Sequence, residues 1–104
     1  MTRSTNLVGP VLRMVDDVDA VVRAIVEDNP DREIELVDRG AYIRVQAEGF
    51  LRVSRDSIER QVGRPYQMRE LEQMLASFAG RIETTSDEVT WQYRSDVERA
   101  THRR

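Results

Sequence analysis

Few side chains in this chain of 104 residues can do covalent chemistry. There is no cysteine, which excludes a thiolate nucleophile, a disulfide framework, a thiolate zinc site and an iron–sulfur centre. The one histidine, His102, lies in a polar terminal tail, where a solvated residue is the ordinary reading and a base or metal ligand the exceptional one. Carboxylates are plentiful, yet the pairs Asp16/Asp17 and Glu27/Asp28 are adjacent in sequence and diverge on a helix. The five glycines each have a turn or cap explanation, so no phosphate-cradling loop is evident. A hydrolase or isomerase built from carboxylates would need convergent groups that this inventory lacks. What remains suits recognition of a partner and calls for no cofactor.

The candidate contacts lie between Val37 and Gly80. Ala76-Ser77-Phe78-Ala79-Gly80 surrounds one aromatic with small residues, a composition that lets another backbone approach while Phe78 anchors. The competing reading assigns Phe78 to a core stripe. Tyr42 alternates with Ile43 and should face outward near a turn, where an exposed aromatic is a candidate contact. Asp38 and Arg39 form a turn pair that could contact a partner or only shape the turn by local hydrogen bonds. Trp91 and Tyr93 could form an aromatic hot spot, but core-facing strand positions are the favoured reading.

Composition sets the class. Hydrophobic residues make up 39% and charged residues 34%, a balance suited to one globular domain that buries its own core. All 16 basic residues are arginine and the net charge is −3. The charge is unevenly spread, with acidic residues dominating from Asp16 to Asp38 and arginines from Arg39 to Arg69. That asymmetry can orient a charged protein partner, whereas nucleic-acid binding ordinarily brings a basic overall balance. No apolar leader or membrane-length run is evident, and no feature demands an oxidising compartment, so a cytoplasmic protein that binds neither membrane nor nucleic acid is expected.

The elements that must position these residues read as an α+β domain of order β-α-β-β-β-α-α-β-β, spanning residues 8–94 between flexible ends at 1–7 and 95–104. Val8, Val11 and Met14 suggest a short strand, with Pro10 confining it to an edge or to the strand's start. Val18, Val21, Val22, Ile25 and Val26 follow helical spacing and predict a helix from about Asp17 to Glu27, stopped by Pro30. Asp38-Arg39-Gly40 and Glu48-Gly49 read as two reversals of a three-stranded meander with Ile34, Leu36, Ile43, Val45, Leu51 and Val53 inside. Ser54 caps a short helix from Arg55 to Val62. Met68, Leu71, Leu75 and Phe78 predict a third helix to Phe78, with Gln67 and Glu70 as a capping box. Arg81 to Tyr93 reads as a terminal hairpin with Val89, Trp91 and Tyr93 on one face.

Asp38-Arg39-Gly40-Ala41-Tyr42, Ala47-Glu48-Gly49, Gly63-Arg64-Pro65-Tyr66, Met68, Glu70-Leu71-Glu72 and Leu75 to Gly80, in this order, resemble the effector proteins of soluble diiron monooxygenases. The likeness is closest to the toluene and alkene monooxygenase branch, runs from Val8-Gly9-Pro10 to Tyr93, and includes Asp28-Asn29-Pro30. Gln67 departs from the asparagine often found there, and the N-terminal extension is shorter than in the methane branch. The resemblance implies a cofactorless regulator, monomeric when free, that binds the diiron hydroxylase near its active site and works with the electron-transfer components. It implies that Ala76, Ser77, Phe78, Ala79 and Gly80 touch the hydroxylase, and it marks Asp38, Arg39 and Tyr42 as a matching motif. A ligand-sensing or protein-binding module unrelated to oxygenases is the alternative.

Overall fold

The computed structural model describes residues 6–93, so the expected loose ends lie outside the described residues except for Asn6 and Leu7. The chain runs β1 (Leu7–Arg13), α1 (Val18–Asp28), β2 (Glu35–Asp38), β3 (Tyr42–Glu48), β4 (Phe50–Ser54), α2 (Arg55–Val62), α3 (Met68–Met74), β5 (Leu75–Ala79), β6 (Arg81–Thr84) and β7 (Glu88–Gln92). The strands form two antiparallel sheets, one ordered β2-β3-β1-β5 and the other β4-β7-β6. The α+β class expected from the sequence is the one found. Among the described residues no helix is long and apolar enough to cross a membrane.

The expected meander is not a single sheet. β3 and β4 follow one another through Glu48-Gly49, but β3 pairs with β1 and β2 while β4 pairs with β7. Gly49 is a corner where the chain changes sheets, pinned on both sides as its N–H donates to the Asn6 carbonyl and its carbonyl accepts the Tyr93 N–H. A second corner joins β5 to β6 at Gly80. Strands that bend from one layer into the next are how two sheets share a core without loops between them.

Pro10 also departs from expectation, because β1 is an interior strand. Its ladder to β3 pairs Leu7 and Val8, skips Gly9 and Pro10, and resumes at Val11, so no bond is asked of the missing proline N–H. Gly9, at φ 138°, passes so close to β3 that a Cβ there would lie 2.0 Å from the Val45 carbonyl oxygen. Val8, Pro10 and Leu12 alternate toward the core.

Between the sheets lie Val8, Leu12, Val45, Leu51, Val53, Val89 and Trp91, all essentially sealed from solvent. Trp91 is therefore a core residue and no hot spot, and Tyr93 packs against the same cluster. α1 contributes Val18, Val21, Val22 and Ile25 as its spacing predicts, together with Ala20 and Ala24. Val26, the last member of the predicted stripe, is exposed, and so is Leu36, because β2 is an edge strand that reaches past the core.

The other exposed edge of the core needs its own closure. β4 borders its sheet, and its Arg52 backbone would be left open on the outer side. Asn29, buried just past the end of α1, fills that place with its side-chain amide. Its Nδ2 donates to the carbonyls of Arg52 and Ile25, each at 2.7 Å, and its Oδ1 accepts the Arg52 N–H at 3.2 Å. One residue earlier, the Asp28 carboxylate accepts the Ser54 N–H at 2.7 Å and the Ser57 hydroxyl. Ser54 in turn caps α2 by accepting the Ser57 N–H, as its position predicts. Asn29→Ala strands these polar groups at once and is expected to cost about 2–3 kcal/mol, lowering Tm by roughly 10–20 °C in a thermal melt.

Candidate protein-interaction surface

The segment Leu75–Ala79 is where structure and sequence part most. Helix α3 stops at Met74, and Leu75 takes φ −70°, ψ 124°, which starts β5 along the free side of β1. The predicted helix to Phe78 is thus corrected. Leu75 and Phe78 continue the helical spacing of Leu71 by coincidence, while pairing with β1 gives this stretch a full backbone ladder that overrides local propensity. Gly9 opposes Ala79, Pro10 opposes Phe78, Val11 opposes Ser77 and Leu12 opposes Leu75, the shift in the last step leaving Ala76 as a bulge.

This strand presents the small residues and the aromatic together. Ala76, Ser77 and Phe78 are exposed, and Phe78 is 45% exposed. Phe78 is therefore not a core residue. It shares the core-side face with Pro10 but sits on the outermost strand, at the rim of the packed interior. Gly80 has a different role. A Cβ there would stand 2.6 Å from the Gln92 carbonyl oxygen and 2.7 Å from Val8 Cγ1, and its φ is 94°. Glycine is required because backbone and core close in on both sides of the corner.

At the far end of the same sheet, β2 and β3 meet in the turn that holds the other candidates. Asp38 accepts the Gly40 N–H at 2.8 Å with Oδ1, so its carboxylate shapes the turn. The Arg39 N–H donates to the Tyr42 carbonyl at 2.8 Å, while the Arg39 guanidinium has no partner among the described residues. Tyr42 is 45% exposed and opposes Arg13. Asp38, Arg39 and Tyr42 thus form one hairpin end, separated from β5 by β1.

The α2–α3 connection precedes β5 and carries its own contacts. Arg64 donates from Nη2 to Asp17 at 2.7 Å and to Glu70 at 3.2 Å, tying the start of α1 to the start of α3. Its guanidinium also lies 5.6 Å from the centre of the buried Tyr66 ring. Glu70 accepts the Gln67 N–H at 3.0 Å, the expected return half of a capping box. That N–H, followed by Arg64, holds the Glu70 carboxyl below the usual carboxylate range. Burial pushes the Tyr66 phenol up to about 12. Sequence reasoning assigned Arg64 and Tyr66 no positioning role, since the partners Asp17 and Glu70 come from different elements.

One groove among the described residues is too open and polar to suit a small molecule. It measures about 670 Å³ and is walled mainly by Asp31, Arg32, Glu33, Glu35, Gln46 and Glu48, whereas small-molecule pockets are enclosed and chiefly apolar. Among the described residues no three acidic or histidine side chains gather as a metal site would require.

The chain is similar to known proteins over most of its length. The sequence matches the MmoB/DmpM family model over residues 6–92. It is 40% identical over 90 residues to the effector subunit of the alkene monooxygenase system of Xanthobacter autotrophicus strain Py2, covering 86% of this chain and 89% of that one. It is 26% identical over 80 residues to the stimulatory component DmpM of phenol 2-monooxygenase from Pseudomonas sp. strain CF600, covering 77% and 87%. A chain in the structure of a phenol hydroxylase–regulatory protein complex superposes with a TM-score of 0.73 at 32% identity, covering 85% of this chain and 99% of that chain. The soluble methane monooxygenase regulatory protein B shares the fold with a TM-score of 0.67 at 20% identity, covering 100% and 77%.

The contrast between Phe78 and Gly80 is directly measurable. Phe78→Ala is expected to cost less than about 1.5 kcal/mol in denaturant unfolding, because much of the ring is already in water. Gly80→Ala is expected to cost about 3 kcal/mol or more, combining left-handed backbone strain with overpacking against Val8 and Gln92.

Proposed function

The chain belongs to the MmoB/DmpM family, and from that membership we propose that it is the non-catalytic effector of a multicomponent diiron monooxygenase. It binds the hydroxylase component and regulates it, and it works beside the electron-transfer components of the same system. The observation that carries this reading is the 40% identity, over most of both chains, to an alkene monooxygenase effector subunit. The superposition on a chain from a phenol hydroxylase–regulatory protein complex supports the hydroxylase as the partner. The cytoplasm, where the other components would meet it, is the compartment this reading requires.

The geometry suggests how a protein without catalytic groups acts. A ligand shifts a conformational equilibrium only by binding one state better than another. The effector's contribution is therefore a surface of fixed shape that fits the oxygen-activating arrangement of the hydroxylase near its diiron centre. Ala76, Ser77, Phe78, Ala79 and Gly80 form the segment assigned to that contact, with Phe78 as anchor and its small neighbours permitting close approach. Arg39 and Tyr42 supply further contacts from the hairpin end, and Asp38 holds their turn in shape. Gly80 contributes by fixing the corner at which the strand leaves the sheet. Tuning of oxygen activation, substrate access and electron coupling follows from which hydroxylase state this surface stabilises.

Titrating the protein into its hydroxylase and electron-transfer components is expected to raise product formation to a plateau near stoichiometry with the active sites. Unchanged product formation and unchanged uncoupled oxygen consumption across that titration would sink the proposal. Phe78→Ala is expected to weaken hydroxylase binding by about tenfold to thirtyfold, the range of an aromatic anchor, and to lower the yield of product per electron consumed. Equal affinity for the variant and the parent would remove Phe78 from the contact.

A further inference from the structure

The chain has no lysine, and most of the arginines among the described residues are spoken for. Arg52 pairs with Glu88, Arg55 with Asp87, Arg60 with Glu27, Arg64 with Asp17 and Glu70, and Arg81 with Glu83. Arg23 donates to Gln61, Arg32 to the Glu48 carbonyl and Arg69 to Gln67. Only the guanidinium groups of Arg13, Arg39 and Arg44 lack any partner among the described residues. These three are not scattered.

The pleat puts Arg13 and Arg44 on the outer face of the β2-β3-β1-β5 sheet. Ile43, Val45 and Ala47 of β3 turn inward, so Tyr42 and Arg44 turn outward. Arg13 opposes Tyr42, and Arg44 lies two residues along the same strand, a diagonal separation of about 7–8 Å. Arg39 occupies the turn beside Tyr42. Half-buried Val37 and Val11 flank Arg44 in register, and Ser77 completes that row on β5. The result is a basic patch centred on Tyr42 whose outer-face row reaches β5 at Ser77, one residue from Phe78 at the sheet's rim.

We propose that this patch docks on a carboxylate-bearing protein surface of the hydroxylase, with Arg13 and Arg44 as the electrostatic anchors of the complex. The proposal rests on the effector reading above and extends its footprint across the sheet. The planar guanidinium fork matches a carboxylate bidentately, and the apolar row beneath lets the arginine stems lie flat. The opposite end of the same outer face carries Glu35 and Glu48, and the whole chain has a net charge of −3, which disfavours the long phosphate backbone of a nucleic acid. A local basic patch on an acidic protein orients encounter with an acidic patch of matching size.

The test is stopped-flow or surface-immobilised binding of the full-length protein to its hydroxylase component at several salt concentrations. The double reversal Arg13→Glu/Arg44→Glu is expected to slow association by about tenfold or more at low salt and to flatten its salt dependence. Arg23→Glu/Arg60→Glu, which changes net charge equally on the α1 and α2 surface, should stay within about twofold of the parent. Should the reversed pair fold poorly by circular dichroism, Arg13→Gln/Arg44→Gln provides the neutral version, with a smaller loss in the same direction. An association rate and salt slope equal to the parent's would overturn the proposal while leaving the effector reading intact, whereas failure of the parent to bind the hydroxylase would remove the effector reading itself. Binding of a duplex oligonucleotide at physiological salt that depends on Arg13 and Arg44 would reassign the patch and overturn the carboxylate partner.

Discussion

One side chain fixes helix α1 on the β4-β7-β6 sheet. The amide of Asn29 completes the ladder at the open edge of β4 as a neighbouring strand would, and it closes the end of α1 with the same group. Asp28 beside it joins β4 to the cap of α2. A buried amide with all these bonds made is well compensated, whereas any shift of α1 would open several at once. The position of α1 over the second sheet is therefore fixed by hydrogen bonds as much as by its valines. The exposed Asp17–Arg64–Glu70 bridge links the start of α1 to the start of α3, and β5, which follows α3, is held by its ladder to β1.

The two glycine corners complement this arrangement. At Gly49 and at Gly80 the chain turns from one sheet directly into the other, so no flexible loop separates the surface strands from the core strands. The core residues Leu12, Val45, Leu51 and Trp91 are gripped between layers connected by their own backbone. The exposed strand β5 is thereby carried by a well-packed interior.

Much of this was legible in the sequence where the signal is local. Ser54 and Gly63 bracket α2 because capping and left-handed termination are matters of a few residues. The valine spacing of α1 and the hairpin of β6 and β7 follow from periodicity in the same way. What could not be read was decided at a distance. Leu75 to Ala79 contains no β-branched residue and extends a helical stripe, and only the vacant side of β1 makes it a strand. Pro10 looked like an edge marker because nothing local reveals that the β3 ladder skips it. The β4 strand follows a turn like any meander strand, yet its partner β7 lies far along the chain. The exposure of Tyr42, Ser77 and Phe78 on one sheet, and the company of Arg13 and Arg44, emerge only from register. Asn29 stood within a motif matched to relatives, and its burial under β4 shows that such a match marks fold as readily as contact.

The corner at Gly80 has a further mechanical meaning. β5 and β6 are two arms of one nearly continuous backbone, each hydrogen-bonded into a different sheet and meeting where not even a methyl group would fit. A load applied at Phe78 is consequently shared by both layers of the molecule. Such a surface behaves as a die: it has little conformational freedom to surrender in any contact it makes.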